Sequence, residues 1–205
     1  MLQVLQFGAG PIPDGVLRAM FAARKAVFVD LLKWDVPVLD GAYELDQFDD
    51  EHATYLVLAG SDGRHLGSAR LLRTDRPHIL GSFYSELCED GAPRGKNIRE
   101  ITRFCLDRSL KAAERRQVRD TLVTALAEHA LGEGIAAYSA VAEIGWLQQI
   151  LAFGWRCVPL GLPRKIDGAL LAALRIDIDA DTPARLRAAG IAPSPAIAGD
   201  ARVAA

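Results

Sequence analysis

Arg24 lies in an apolar helical pattern at a position where a leucine would be expected. The apolar residues of this pattern recur at three- and four-residue spacing: Leu17, Met20, Phe21, Val27, Phe28 and Leu31. A guanidinium in phase with them faces the core, and it needs carboxylate partners because the desolvation of an unpaired ion is very costly. Residues 14–34 therefore predict a buried arginine that pairs with acids.

Two more arginines are flanked by apolar residues in strand-like stretches, and acids occur in the segment after the first helix and just before the last of these arginines. The whole set consists of Arg24, Arg70, Arg103, Asp46, Asp49 and Glu100. Several buried arginines together with several acids predict a charged cleft. A purely structural ion-pair network explains the same pattern, so the charges alone leave both interpretations open.

Two aromatic residues near Arg24 favour a binding site. Phe28 lies one helical turn beyond Arg24, and Trp34 closes the same helix. A cleft with charges and aromatic walls suits a zwitterionic ligand that carries a sulfonium or adenine group. In a regular strand Glu100 and Arg103 point to opposite faces, so they can share this cleft only if a bulge or bend intervenes.

Other kinds of site find little support in the sequence. The four histidines lack metal-ligand spacing, and no Gly-x-Ser-x-Gly motif places a serine nucleophile, so we expect no metal and no serine hydrolase. A net charge of −2 does not favour nucleic acid as a partner. The three cysteines are odd in number and far apart, which favours a reducing cytoplasm over a disulfide framework.

A basic stripe follows the third predicted strand. It consists of Arg108, Lys111, Arg115 and Arg119 at helical spacing. Such a stripe is typical of a solvated helix face, and the alternative is a docking surface for an acidic protein partner.

The elements that must position these residues alternate between strands and helices. Residues 54–59 and 66–73 read as a hairpin around Asp62-Gly63, 98–106 as a strand, 110–131 as a helix, 135–142 as a strand, 144–153 as a helix, and 155–159 and 169–178 as strands. This order predicts an α/β sandwich with helices on both faces of a mixed sheet. We expect one domain over residues 1–190, a disordered tail over 191–205, and neither a secretion signal nor membrane insertion.

The chain resembles the acyl-homoserine lactone synthases of the LuxI type, which make bacterial quorum-sensing signals. The resemblance is carried by Arg24 with Val27-Phe28, Trp34, Asp46-Gln47-Phe48-Asp49, Gly67-Ser68-Ala69-Arg70-Leu71-Leu72, Phe83 and Glu100-Ile101-Thr102-Arg103-Phe104. Each piece is short, but the ordered set is specific, and it covers residues 5 to 160. The resemblance implies a GNAT-like three-layer α/β/α sandwich whose mixed central sheet is split in a V.

The resemblance also implies the reaction. An acyl group passes from acyl carrier protein or coenzyme A to the amine of S-adenosyl-L-methionine, and lactone closure then releases methylthioadenosine without a metal or redox cofactor. By resemblance Glu100 is the base, acting directly or through water, while Asp46 and Asp49 hold the amine and orient Arg24, Arg70 and Arg103. Arg103 would also contact the substrate carboxylate, and Phe28, Trp34 and Phe83 would shape the substrate pockets.

The sequence pattern also predicts an acyl pocket. Patterning suggests that it is lined by Leu122, Ser139, Val141, Trp146 and Ile150. Two other functions stay open at this point. One is an ordinary N-acetyltransferase that uses acetyl-CoA, although the expected glycine-rich loop is absent near residue 110, and the other is a non-catalytic binder of acyl carrier protein.

Overall fold

The computed structural model describes residues 1–6 and 14–194, and the fold is mixed α/β. The elements are β1 (Leu2–Gln6), α1 (Asp14–Arg24), β2 (Val38–Leu39), β3 (Tyr43–Glu44), β4 (Thr54–Ala59), β5 (His65–Arg73), α2 (Ile79–Phe83), β6 (Ile98–Leu106), α3 (Ala112–Gly132), β7 (Ala137–Glu143), α4 (Ile144–Leu151), β8 (Arg156–Pro159), β9 (Arg164–Ile166), β10 (Ala169–Asp177) and α5 (Thr182–Ala188). The predicted order of hairpin, strand, helix, strand, helix and strands is confirmed.

The central sheet has the strand order β1-β4-β5-β6-β7-β10-β8, with β9 paired to β10. The pairs β1–β4, β4–β5, β7–β10, β8–β10 and β9–β10 are antiparallel. One pair is parallel, in which Ile98–Glu100 of β6 faces Ala137–Ser139 of β7. The sheet is therefore mixed, as the sequence predicts.

The chain forms two compact units. The first comprises the described residues of Met1–Leu71, Arg103–Ala125 and Pro193–Ala205, and the second comprises Leu72–Thr102 and Leu126–Ala192. Strands β5 and β6 contribute residues to both units. The single domain over residues 1–190 stays a prediction.

In the first unit, the apolar stripe of α1 is buried as expected. Leu17, Phe21 and Phe28 belong to the core, and Arg24 is buried among them with 1% of its surface exposed. Leu31 is half exposed, contrary to the pattern. The reason is a π-helical segment, Lys25–Leu31, which continues α1. Its wider turns bond residues five apart instead of four, and this shifts the phase of the stripe.

The hairpin of β4 and β5 provides the central strands of the first unit. Gly63 adopts a left-handed conformation in the connecting turn, with φ of 80°, and the Asp62 side chain accepts a hydrogen bond from the backbone of Arg64. Residues 55–59 of β4 are all buried. The register places Tyr55 opposite Arg70, so the predicted hairpin is confirmed and carries a buried arginine.

In the second unit, β7 and β10 pack with α2 around a small apolar cluster. Its members are Leu80, Leu87, Cys88 and Ala173, and Val141 packs against them. Ile191 is also buried in this unit. Ser194, in the first unit, donates its backbone N–H to Thr121 Oγ1. Ordered chain thus extends into the predicted tail, whose residues 195–205 lie outside the described residues.

Candidate active site

Short turns in the first unit deliver three carboxylates. Glu44 ends the hairpin of β2 and β3, whose turn contains Asp40 and Gly41 in left-handed conformations. A second turn joins Asp46 to Asp49, because the Asp49 N–H donates to the Asp46 carbonyl and the Asp46 N–H donates to Asp49 Oδ2 at 2.9 Å. The second turn thus holds the Asp49 carboxylate through a backbone N–H, and the hairpin places Glu44 beside it in sequence.

Arg24 joins two of these carboxylates. Its Nη1 and Nη2 donate to the two oxygens of Asp49 at 2.8 and 2.9 Å, and its Nε donates to Glu44 Oε2 at 2.5 Å. Such two-pronged contacts use the planar fork of the guanidinium. Burial alone would lower the pKa of Arg24, but the hydrogen bonds and charges of Asp49 and Glu44 outweigh it and raise the pKa.

Arg70 and Tyr55 reach the same turn from neighbouring strands. Arg70 binds both oxygens of Asp46, at 2.7 and 3.0 Å, and its Nη1 lies 2.9 Å from Asp49 Oδ1. The Tyr55 hydroxyl also donates to Asp49 Oδ1, at 2.9 Å. Burial, and then the charge of Asp49, raise the pKa of Tyr55, so the phenol remains a donor.

Arg103 completes the cluster from β6. Its Nη2 donates to Glu44 Oε1 at 2.9 Å and to Asp46 Oδ2 at 2.8 Å. Arg103 has a φ of 49°, a left-handed conformation that is rare for a non-glycine residue inside a strand. The irregularity that the sequence required between Glu100 and Arg103 is therefore present, and it breaks the alternation of the strand.

Three guanidinium groups and three carboxylates balance one another in the cluster Arg24, Arg70, Arg103, Glu44, Asp46 and Asp49. Burial alone would raise the pKa of Asp49, but the hydrogen bond from Arg24 and the charges of Arg70 and Arg24 hold the pKa well below its usual range. For Asp46, burial is likewise outweighed by Arg70 and Arg103, and the pKa is lowered. Both carboxylates stay ionised at neutral pH.

An aromatic wall stands beside Arg103. Phe28 and Trp34 stack with their ring centres 4.7 Å apart, and the Arg103 guanidinium lies 5.5 and 5.6 Å from the two centres. The end of the π-helical segment produces this pairing, since the Trp34 N–H bonds the Phe28 carbonyl. Phe28 is buried, whereas Trp34 is 38% exposed, so Trp34 presents an aromatic surface outward.

Glu100 lies in the second unit, on the part of β6 that pairs with β7. It is fully buried, and its Oε1 accepts the backbone N–H of Leu80 at 2.9 Å. Burial, and then the charge of Glu100, raise the pKa of the Cys88 thiol. Phe83, at the end of the helix that contains Leu80, is 55% exposed.

The residues suggested for the acyl pocket fall in both units. Leu122 is buried in the first unit, on α3. In the second unit, Val141 packs against the cluster around Leu80, and the Ser139 Oγ is buried without a hydrogen-bond partner among the residues that the structure describes. Ile150 is buried and its carbonyl accepts the Trp155 indole N–H, while Trp146 stands edge-on to Phe153.

The predicted basic stripe divides into exposed and paired members. Arg108 and Lys111 precede α3, which begins at Ala112, and they are exposed together with Arg115. Arg119 is only 21% exposed and pairs with Asp120 at 2.7 Å. A single helical stripe is therefore the wrong description of these four residues.

The sequence pattern did not single out Glu44, which belongs to the cluster, or Tyr55, which donates a hydrogen bond to it. Glu44 was one acid among several in its segment, and no local signal distinguishes it, because its partners Arg24 and Arg103 are distant in sequence. Tyr55 offered a weak signal, being the one residue with a hydroxyl in the fully buried part of β4. A buried phenol usually needs a hydrogen-bond partner.

Two kinds of feature are absent from residues 1–6 and 14–194. No group of three or more His, Cys, Asp or Glu side chains there could hold a metal ion. No helix in the same residues is long and apolar enough to cross a membrane.

Known proteins resemble this chain along most of its length. Residues 13–186 match the model of the autoinducer synthase family. An acyl-homoserine-lactone synthase of Ralstonia nicotianae is 32% identical over 96% of this chain and 100% of its own. An isovaleryl-homoserine lactone synthase of Bradyrhizobium diazoefficiens is 31% identical over 82% of this chain and 76% of its own.

Solved structures of acyl-homoserine lactone synthases are also similar to this chain. The CoA-dependent acyl-homoserine lactone synthase BjaI, solved with SAM and isopentyl-CoA, superposes with a TM-score of 0.85 at 28% identity, covering 95% of this chain and 90% of its own. A Lactobacillus plantarum structure named as an N-acetyltransferase shares the fold alone, with a TM-score of 0.58 at 20% identity. The GNAT-like fold is confirmed, and the chain belongs to the autoinducer synthase family, the acyl-homoserine-lactone synthases.

Proposed function

We propose that this synthase makes an N-acyl-L-homoserine lactone from S-adenosyl-L-methionine and an acyl thioester, with the residues assigned below. The substrate amine attacks the thioester carbonyl, an amide bond forms, and the C–S bond breaks to release the thiol. The substrate carboxylate then attacks the γ-carbon, and the C–S bond to the sulfonium breaks to release neutral methylthioadenosine. The observation that carries the proposal is the buried, charge-balanced cluster in a chain of this family.

Glu100 is the proposed base that removes the proton from the attacking amine, directly or through a water molecule. The electrostatics of the alternatives support this choice. Asp46 and Asp49 have lowered pKa values because arginines surround them, and a strongly stabilised carboxylate is a poor proton acceptor. Their proposed role is to hold the amine and to orient Arg24, Arg70 and Arg103.

Arg103 is the proposed contact of the substrate carboxylate. With 8% of its side chain exposed, it is the least buried of the three cluster arginines. Its Nη1 makes no hydrogen bond within the part of the chain that the structure describes, whereas its Nε and Nη2 are engaged. Trp34 and Phe28 lie beside it and supply the aromatic surface that suits a sulfonium or adenine group.

The proposal also assigns residues to the acyl donor. Val141, Ser139, Trp146 and Ile150 of the second unit are proposed to line the acyl pocket, and Phe83 to shape the thioester site. Coenzyme A and acyl carrier protein both remain candidates as carriers, with Arg108, Lys111 and Arg115 as the docking surface for the protein. We also propose that the enzyme acts in the cytoplasm and that S-adenosylmethionine is a substrate and not a cofactor.

The decisive experiment incubates the wild-type protein with S-adenosylmethionine and a panel of acyl-CoA and acyl-carrier-protein substrates. Products are identified by mass spectrometry and methylthioadenosine is quantified. We expect an acyl-homoserine lactone, and methylthioadenosine only when a thioester is present, because amide formation precedes closure. N-acetylated amines without lactone would point to an N-acetyltransferase, and tight carrier binding without turnover would point to a binding protein.

A further inference from the structure

His78 is a buried residue for which the proposed mechanism has no role. It precedes α2 directly as its N-cap residue, and only 2% of its surface is exposed. Its Nδ1 lies 2.8 Å from the carbonyl oxygen of Arg76. A carbonyl oxygen can only accept, so Nδ1 carries the hydrogen and donates it.

The backbone around His78 has little freedom to relax. Pro77 stands between Arg76 and His78, and its ring restricts φ to a narrow range. The His78 ring packs so closely on Gly81 that an added Cβ at Gly81 would lie 2.7 Å from the ring carbon Cε1. The His78 carbonyl also accepts the N–H of Ser82, which starts the helix. The ring therefore ties the residues before α2 to its first turn.

This same turn holds the proposed base. The N–H of Leu80, two residues after His78, donates to Glu100 Oε1 at 2.9 Å. A backbone N–H at the first turn of a helix has no partner inside the helix, so Glu100 is its partner here. The position of this donor depends on the path of the chain from Arg76 to Gly81, which the imidazole ring fixes.

We infer that His78 is a positioning residue that fixes the first turn of α2 and thereby holds the Glu100 carboxylate for catalysis. The inference rests on the proposed role of Glu100. It assigns the function to Nδ1, which makes the contact with Arg76, and none to Nε2, which is buried without a hydrogen-bond partner among the described residues.

Two conservative substitutions of His78 test the roles of its two ring nitrogens separately. Asparagine places an amide donor near the position of Nδ1, and glutamine places one near the position of Nε2. His78→Ala removes both. His129→Asn, on α3 of the same unit, is a matched control for replacing a partly buried histidine.

Steady-state kinetics with S-adenosylmethionine and an accepted acyl thioester, measured against pH, test the inference. We expect His78→Ala to lower kcat by roughly tenfold to a hundredfold, as expected for a displaced catalytic group, with both KM values within about twofold. The acidic limb of the kcat/KM profile should move to higher pH, because a carboxylate that loses an N–H donor is protonated more readily. His78→Asn should restore both, and His78→Gln should not.

Gly81→Ala tests the same contact by changing the residue on which the His78 ring packs. This variant provides the test if His78→Ala does not fold. Alanine has the higher helix propensity, so the change would be harmless or stabilising if the ring position were unimportant. We expect instead the same loss of kcat and the same shift of the acidic limb. Wild-type kcat and pH profile in His78→Ala or in Gly81→Ala, or rescue by glutamine in place of asparagine, would overturn the inference. Glu100→Gln separates it from the proposed function, since retained turnover in that variant would remove Glu100 as the base whatever the His78 variants do.

Discussion

Tyr55 and Arg70 stand directly opposite each other on β4 and β5, and both reach Asp49 Oδ1 at 2.9 Å. This carboxylate oxygen, which also accepts a hydrogen bond from Arg24 Nη1, is thus held from two strands by a neutral donor and a charged one. Because the acceptor is an ionised carboxylate, both contacts are charge-assisted and contribute more than a hydrogen bond between neutral groups. The strand pairing itself sets the geometry of the cluster.

Tyr55→Phe should lower the free energy of unfolding by about 1.5–3 kcal/mol, because it removes a buried hydrogen bond to an ionised carboxylate. Urea unfolding at pH 7 measures the loss. Tyr138→Phe is the matched control, since its buried hydroxyl donates to the neutral Leu126 carbonyl and should cost about 1 kcal/mol. Equal losses in the two variants would argue against a strong contact with Asp49.

Arg24→Met should destabilise the protein by about 3–5 kcal/mol and abolish turnover, because it leaves Asp49 and Glu44 buried with a missing partner. Thermal or urea unfolding and methylthioadenosine release measure the two effects. Lys25→Met, at the next position, breaks only the solvent-exposed pair with Asp30 and should cost less than about 1 kcal/mol. An Arg24→Met protein as stable as Lys25→Met would contradict the burial of Arg24.

Because His65 is buried, we expect the protein to lose stability in mildly acidic solution. Burial lowers its pKa to about 4, although Asp107 opposes the shift, whereas the unfolded chain has the ordinary value of about 6.5. As the pH falls through this interval the unfolded state binds a proton first, so stability decreases by up to about 3 kcal/mol between pH 6.5 and pH 4.

His65→Gln should remove this pH dependence while retaining a polar group for Ser68, which lies 2.9 Å from the imidazole Nε2. Urea unfolding of both proteins at intervals from pH 7 to pH 4 measures it. The pKa values of Asp46 and Asp49 are lowered, so their protonation reduces stability only below about pH 4. This pH range is separate from the one in which His65 acts. Parallel stability curves for variant and wild type would refute the assignment to His65.

Charge reversal of Arg108 and Lys111 to glutamate should raise the apparent KM for acyl-carrier-protein substrates at low salt. Added salt should shrink the difference because it screens long-range steering, and the KM for S-adenosylmethionine should not change. Arg119→Glu is the control, since Arg119 is already paired with Asp120 and largely buried. Unchanged kinetics at low salt in the double variant would exclude docking at this surface and would favour coenzyme A as the carrier.

Ser139→Ala should leave the protein as stable as the wild type or slightly more stable, because the buried hydroxyl has no hydrogen-bond partner in the described chain. If Ser139 lines the acyl pocket as proposed, the KM for the acyl thioester should change while that for S-adenosylmethionine stays constant. Unfolding and kinetics on the same samples measure both. A marked loss of stability with normal kinetics would place Ser139 in the scaffold alone.

Sequence alone predicted the part of the site in which local pattern and chemistry coincide. The helical phase of Arg24 demanded acids, and Asp46 and Asp49 are among the acids that bind it or its neighbour Arg70. Glu44 could not be singled out, because its role depends on Arg103, which is 59 residues away in sequence. The phase shift that exposes Leu31 was likewise hidden, since a π-helical segment differs from an α-helix in backbone bonding and not in any residue type.

The π-helical segment Lys25–Leu31 makes the stacking of Phe28 on Trp34 sensitive to the insertion or deletion of a residue. A π-helical turn contains about one residue more than an α-helical turn, so removal of a single residue between Lys25 and Leu31 would allow an ordinary helix to form. Trp34 would then be displaced by about 1.5 Å along the axis and rotated by about 100°, away from Phe28, with no change in the composition of the site. Insertions and deletions at residues 25–31 would therefore be far more harmful than substitutions at exposed positions such as Asp30.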